Sequence, residues 1–446
     1  TDRANIKWGN KTALLRWNHE FSQKLFGNLS ATYSKYRFGI YNRSINRYNF
    51  GGQNIEETYT AIYSSSIQDW ALKYDVDFIP NTKHYVKAGI SGILHTFTPG
   101  AITYKNSIVP EQNIDTTFQQ NTSPEFDVYI EDDVELTSKL KANIGIHASA
   151  FASKNNFYPT LQPRVSLRYL VKPSLSVKAS YSNMTQFIHL LSNNGIGLPT
   201  DLWVPVTDKI KPQRSDQVAI GLAKTFKEQY EISIEGYYKE MRNIIDYFDG
   251  ASYLNTNQSW EDKVEMGKGW SYGAEFFVQK KTGRLNGLIG YTLSWTNRKF
   301  PTINSGLLYP YKYDRRHDFK MAGVYKVSDR VELSGEWVYG SGNAISLPEF
   351  MYASSFANNF NNQTFHYGER NARRMRAYHR MDIGINLIKQ KSRGRERTWN
   401  ISIYNAYSRK NPFYIYNEYN TVTQKNNFKQ ISLFPILPSF SYNLKF

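Results

Sequence analysis

Arg164-Val165-Ser166-Leu167-Arg168-Tyr169, followed across Lys172-Pro173 by Leu175-Ser176-Val177-Lys178-Ala179-Ser180-Tyr181-Ser182, decides the fold. Val165, Leu167 and Tyr169 oppose Arg164, Ser166 and Arg168, and Leu175, Val177, Ala179 and Tyr181 oppose Ser176, Lys178, Ser180 and Ser182. A period of two is the periodicity of a strand, whose successive side chains leave on opposite faces. Lys-Pro between two such runs reads as a tight turn. One face of the hairpin is apolar and the other wet. The same pattern recurs in Val86, Ala88, Ile90, Gly92 and Leu94 against Lys87, Ser91 and His95, and in Val331, Leu333, Gly335, Trp337 and Tyr339 against Glu332, Ser334 and Glu336.

Outward from these segments, alternation predicts about seventeen strands. They fall near 7–20, 26–40, 65–79, 84–98, 124–137, 140–152, 161–171, 174–184, 213–226, 229–247, 265–280, 284–297, 315–326, 330–341, 377–390, 397–408 and 430–446. Runs of ten to fifteen residues exceed the five or six of an ordinary globular strand, so they span something. Short connections such as Lys172-Pro173, Lys227-Glu228 and Ser328-Asp329 alternate with long polar ones near 41–64, 99–123, 185–212, 248–264, 298–314, 342–376 and 409–429. That asymmetry is expected of outer-membrane barrels, with short periplasmic turns and long external loops. The pattern therefore predicts an all-β, transmembrane, antiparallel up-and-down barrel, with residues 1–446 forming one domain and every short turn on the periplasmic side.

Composition fits. The 446 residues include 34 Tyr, 26 Phe and 9 Trp, yet the mean hydropathy is −0.57. No run of apolar residues is long enough for a membrane helix, but a barrel hides its lipid face in alternate residues. The net charge of +17 raises nucleic acid as a partner. The cations are scattered singly apart from Lys389 to Arg397, however, and dispersed charge is not the footprint of a nucleic-acid site. A basic rim facing anionic lipopolysaccharide and outer-membrane lipid is the expected use of this charge. The absence of cysteine removes thiolate metal sites and disulfides and suits a chain that crosses an oxidising periplasm unfolded.

The chemistry of catalysis is missing. There is no G-x-S-x-G elbow, H-E-x-x-H, phosphate loop or dinucleotide fingerprint, and the eight His show no ligand spacing, so no enzyme, cofactor or bare-metal site is expected. Asp314-Arg315-Arg316-His317-Asp318 is the densest ionisable cluster. A histidine beside carboxylates suits acid–base work, but alternation sends neighbours to opposite faces, and a structural salt-bridge network is the expected reading. Candidate solute contacts in the outer loops and lumen are Gln186, His189, Trp203, Tyr309, Tyr311, Arg315, His317, Tyr414 and Tyr416. Their aromatic rings serve equally for loop packing or for the girdles at the lipid interfaces.

Several motifs, in order, resemble the TonB-dependent receptors of the outer membrane. They are Leu161-Gln162-Pro163-Arg164-Val165, Lys211-Pro212-Gln213, Gly273-Ala274-Glu275, Tyr313-Asp314-Arg315-Arg316-His317-Asp318 and Asn405-Ala406-Tyr407-Ser408-Arg409-Lys410-Asn411-Pro412. Phe440, Tyr442, Leu444 and Phe446 resemble the C-terminal signal read by the barrel assembly machinery. The resemblance implies a barrel of about twenty-two strands of which about seventeen lie here, with an N-terminal plug, the first strands and the segment that engages TonB absent. It implies residence in the outer membrane of a Gram-negative bacterium and TonB-energised import of a scarce solute. Similar receptors of the Bacteroidota work with a surface lipoprotein lid, which is the further partner it suggests. The alternatives are a passive outer-membrane channel, or a structural or assembly component that uses the same barrel.

Overall fold

A computed structural model describes residues 2–107, 114–116, 120–192, 201–251, 259–353, 363–390, 395–420 and 425–445. Seventeen long strands follow one another. They are β1 (Asp2–Ser22), β2 (Leu25–Phe50), β3 (Gln53–Asn81) and β4 (His84–Asn106); β5 (Asn121–Glu135), β6 (Leu140–Ala152), β7 (Phe157–Lys172) and β8 (Leu175–Gln186); β9 (Gln213–Phe226), β10 (Tyr230–Tyr247), β11 (Val264–Lys280) and β12 (Leu285–Lys299); and β13 (His317–Ser328), β14 (Val331–Gly340), β15 (Tyr378–Gln390), β16 (Glu396–Tyr404) and β17 (Leu437–Lys445). With the short pieces Ile114–Thr116 and Tyr309–Pro310 they form one nineteen-stranded sheet. Each long strand pairs antiparallel with its sequence neighbours. This is the predicted up-and-down order. Among the described residues, β1 pairs only with β2 and β17 only with β16.

The alternation sorts side chains as the sequence requires. Trp70, Leu72, Ile90, Leu94, Phe126, Val128 and Ile130 lie on the outside and are about half exposed. The intervening residues carry a polar network. Asp75 accepts from the Tyr129 hydroxyl at 2.6 Å and pairs with Lys73 at 2.9 Å, Asp127 accepts from Ser91 Oγ at 3.1 Å, and His95 Nδ1 lies 2.8 Å from Asp69. An apolar exterior over a polar interior inverts a soluble protein. Exposed apolar area on this scale far exceeds the few hundred Å² of a soluble monomer's largest patch and is the surface a barrel presents to lipid. No described helix is long and apolar enough to cross a membrane.

The strands outgrow the bilayer. β2 and β3 have 26 and 29 residues, against the ~9–11 that cross a bilayer. They meet at Gly51 and Gly52, whose φ values of +61° and +81° are those of the left-handed turns favoured in two-residue hairpins. The predicted loop 41–64 is thus a continuous ladder. Among the described residues, strand pairing from β1 reaches Ser44 and from β4 reaches Tyr59, and the ladder continues beyond both. The error has a physical cause: outside lipid both faces are polar, so the alternation that marks a strand disappears. Similarly, β4 runs to Asn106 and β7 begins at Phe157. The predicted last strand 430–446 is divided, because Lys425–Ile431 pairs outward with Tyr414–Asn420. Phe434 at φ +52°, followed by Pro435, then separates that hairpin from β17. Tight turns are also not confined to one end, since Gly51-Gly52 and Ser153–Asn156 close hairpins at the long-loop end.

Candidate functional site

The described parts of the connections after β8, β10, β12 and β14 gather into a layer at the outer mouth. The segment between β8 and β9 forms a small hairpin, Ile188–Leu191 with Leu202–Pro205. Leu191, Leu202 and Val204 are buried with Ile40 and Tyr63 from β2 and β3 and with Ile245, Tyr247 and Val264 from β10 and β11. These strands are far apart in the sheet, so the hairpin joins opposite walls through apolar contact. Trp203, on the other face of the hairpin, is 38% exposed.

His189 is fully buried and bonds the Lys211 carbonyl through Nε2 at 3.1 Å. Burial pushes its imidazole down to about 4, against the pull of that bond and with the Arg298 charge adding to the fall. It is therefore neutral near pH 7, with Nε2–H donating to Lys211 O.

A buried ionic knot fastens the connections after β10, β12 and β14. The Asp246 side chain, at the end of β10, is fully buried and accepts from Arg370 Nη2 at 2.8 Å, the Tyr309 hydroxyl at 2.8 Å and the Tyr247 amide at 2.9 Å. Arg370 also donates to Asp249 Oδ1 at 2.7 Å and the Tyr247 carbonyl at 3.1 Å. Burial alone would lower the Arg370 pKa, but Asp246 and Asp249 more than reverse this. Burial and the Asp246 charge raise that of Tyr309. Next to the knot, the Arg298 guanidinium lies 3.5 Å from the Tyr311 ring centroid and donates to the Ile245 carbonyl at 3.2 Å, while Asn371 Nδ2 donates to Pro310 O at 3.0 Å.

Asp314 forms a second tie. It accepts from the Thr296 amide at 2.6 Å and from Arg374, and lies 3.6 Å from Arg316. Tyr313 donates to Asp201, which Lys312 approaches at 3.3 Å, so this loop grips the end of the small hairpin. A cleft of about 450 Å³ opens beside the knot between Asp249, Asn304, Ser346 and Tyr367. Among the described residues no three His, Asp or Glu side chains come together as metal ligands.

The sequence matches the family described as TonB dependent receptor-like, beta-barrel, over residues 1–433. The chain belongs to that family. Solved receptors share its fold. The ferric preacinetobactin receptor BauA of Acinetobacter baumannii superposes with a TM-score of 0.58 at 13% identity, covering 99% of this chain and 63% of that one. The pyoverdine receptor FpvA of Pseudomonas aeruginosa PAO1 gives 0.60 at 12% identity, covering 99% and 62%. The ferric-catecholate import receptor Fiu of K12 E. coli gives 0.57 at 14%, covering 98% and 64%. The chain thus spans less than two thirds of each receptor's length. No curated protein matches it.

Within this receptor barrel the predicted site residues divide. His189, Trp203, Tyr309, Tyr311 and Arg315 belong to the outer layer, with Arg315 Nε donating to Asn343 Oδ1 at 2.9 Å. Gln186 closes β8, is exposed and donates to the Ile188 carbonyl. His317 stacks on Tyr291 with Nδ1 2.9 Å from its hydroxyl, on the lipid-side face that also carries Met321 and Tyr325. Tyr414 and Tyr416 pack on each other at 6.2 Å in the separate hairpin before β17. Phe440, Tyr442 and Leu444 are exposed along one face of β17, and Phe446 lies outside the described residues. Sequence reasoning missed Asp246 and Arg298, which lie at the ends of strands β10 and β12, and Arg370, a lone charge in a polar loop.

Proposed function

We propose that this barrel is the C-terminal part of an outer-membrane receptor, preceded by a plug, that captures a scarce solute on its outer loops and imports it with energy supplied through TonB. The observation that carries the reading is the outer layer itself, in which one hairpin bridges distant walls across the mouth and two ionic ties fasten the neighbouring loops. A layer held this way suits a gate that must rearrange before solute enters, whereas an open pore gains nothing from it. Trp203, Tyr311 and Arg315 are the proposed solute contacts, and His189 and Tyr309 hold the layer in place. Binding and rearrangement, with no bond made or broken, are sufficient for this work. The similar structures include receptors for ferric preacinetobactin and pyoverdine, so ferric chelates are the first solutes to test.

The test is uptake of labelled ferric chelates by cells carrying the complete chain, with and without tonB. Saturable uptake that is lost when tonB is deleted supports the proposal. Uptake indifferent to tonB, together with steady conductance of the purified protein in planar bilayers, would make it a passive channel.

A further inference from the structure

The outer face of β9 to β12 carries a row of cations in direct register. Arg214 pairs with Arg242, Arg242 with Lys268 and Lys268 with Lys299. All four are exposed and lie on the side of the sheet that presents Val218, Ile220, Tyr238 and Tyr272. Like charges directly opposite one another across a sheet repel, and here four adjacent strands repeat the arrangement. Arg242 is partly compensated by Asp216 at 3.0 Å and Glu240 at 3.6 Å. Among the described residues Arg214, Lys268 and Lys299 make no ion pair. Three of the four cations are thus left without a paired carboxylate.

What lies beneath the row identifies that charge. Four residues down each strand, about 13 Å at the ~3.3 Å rise of a strand, Val218, Tyr238, Tyr272 and Trp295 form a second row in the same register. The Tyr238 and Tyr272 rings stack at 6.4 Å and the Tyr272 and Trp295 rings at 5.4 Å. Ile220, Gly236, Ala274 and Leu293 follow, where Gly236 and Ala274 leave a shallow groove under the aromatic shelf. Between the two rows lie Asp216, Glu240, Trp270 and Asn297, so the face passes from cations through a mixed polar row to aromatic rings and then an apolar groove, the order of headgroup, interface and acyl chain. The row crosses three interstrand spacings, about 14 Å at ~4.8 Å each, which is too long for one phosphate.

We propose that this face is a binding site for a lipopolysaccharide of the outer leaflet, whose lipid A phosphates are held by Arg214, Arg242, Lys268 and Lys299 and whose acyl chains lie over the Gly236–Ala274 groove. The proposal rests on the outer-membrane placement and is independent of the solute imported. The complete receptor would be titrated in nanodiscs with bisphosphorylated lipid A and, separately, with phosphatidylglycerol, and retained lipid counted by native mass spectrometry. The triple variant Arg214→Gln, Lys268→Gln, Lys299→Gln is expected to bind bisphosphorylated lipid A at least tenfold more weakly, and Lys172→Gln, Lys224→Gln, Lys227→Gln at the opposite end to bind it normally. Equal loss in both triples, no loss in the first, or phosphatidylglycerol binding as tightly as lipid A would each overturn the site. Failure of the parent to fractionate with the outer membrane as a heat-modifiable barrel would instead remove the placement on which it rests.

Discussion

Asp246 and Arg370 stand far apart in sequence yet meet at 2.8 Å, with Asp246 fully buried and Arg370 nearly so. Removing one partner of a buried pair strands the other charge in a low-dielectric site, at about 3–5 kcal/mol. Asp246→Ala should therefore loosen the loops around Tyr309 and Arg370, read as faster hydrogen exchange in 300–316 and 366–374. Asp246→Leu combined with Arg370→Met, which removes both charges, should restore much of the protection; protection no better than in the single variant would show that the knot contributes more than charge pairing. His189 makes a pH-dependent contribution. Its folded pKa of about 4 lies below the ~6.5 of a free imidazole, so the unfolded segment binds more protons between these values. Stability is fully present above pH 6.5 and falls as pH drops toward 4, by about 3 kcal/mol over the window. Exchange in 188–191 and 202–205 should accelerate over that range, and His189→Gln should flatten the profile. Tyr309 was legible as a loop aromatic. Its partners were not, because neither a lone Asp at a strand end, such as Asp246, nor a lone Arg in a polar loop, such as Arg370, carries a periodicity of its own, and only the folded chain brings them together.

Single strands carry their own tests. Ile220 faces lipid and its neighbour Ala219 faces the interior. Lysine at 220 should cost about 2–4 kcal/mol near mid-membrane, whereas lumen substitutions at the same depth leave stability largely unchanged. The comparison is a urea titration of Ile220→Lys against Ala219→Lys in liposomes, and similar midpoints would mean the two faces are misassigned. The turn between β9 and β10 places Lys227 and Glu228 at φ +48° and +56°, a left-handed region costing about 1–2 kcal/mol for residues other than glycine. Glu228→Gly should raise the heat-modifiability midpoint slightly; a lower one would mean the turn relaxes otherwise. Strand identity was readable where lipid imposes contrast, as in Leu175 to Tyr181. It failed at the tips of β2 and β3, where water wets both faces and pairing is held by the Gly51-Gly52 turn and pairs such as Arg47 with Glu56 at 2.9 Å.

At the scale of the molecule the argument concerns edges. β1 offers 21 residues of ladder and β17 offers nine, and each is paired on one side only among the described residues. In an antiparallel strand alternate residues direct their N–H and C=O to each side, so a free edge exposes a polar row along its length. In hydrocarbon every such group left without a partner costs several kcal/mol. No favourable term elsewhere in the barrel offsets a row of these, so a membrane-embedded form must pair both edges. Further strands of the same chain are the simplest partners, consistent with coverage of only 63% of the length of a comparable receptor. The intact protein extracted from membranes should therefore be heavier than the 51.8 kDa of these residues, and cysteines introduced at Leu15 in β1 and Phe440 in β17 should each cross-link to strands contributed by the additional sequence. An intact mass of 51.8 kDa with a direct Leu15→Cys to Phe440→Cys disulfide within one chain would show instead that β1 and β17 pair with each other. The barrel would then close on seventeen long strands, and the proposed plug and first strands would have to be abandoned.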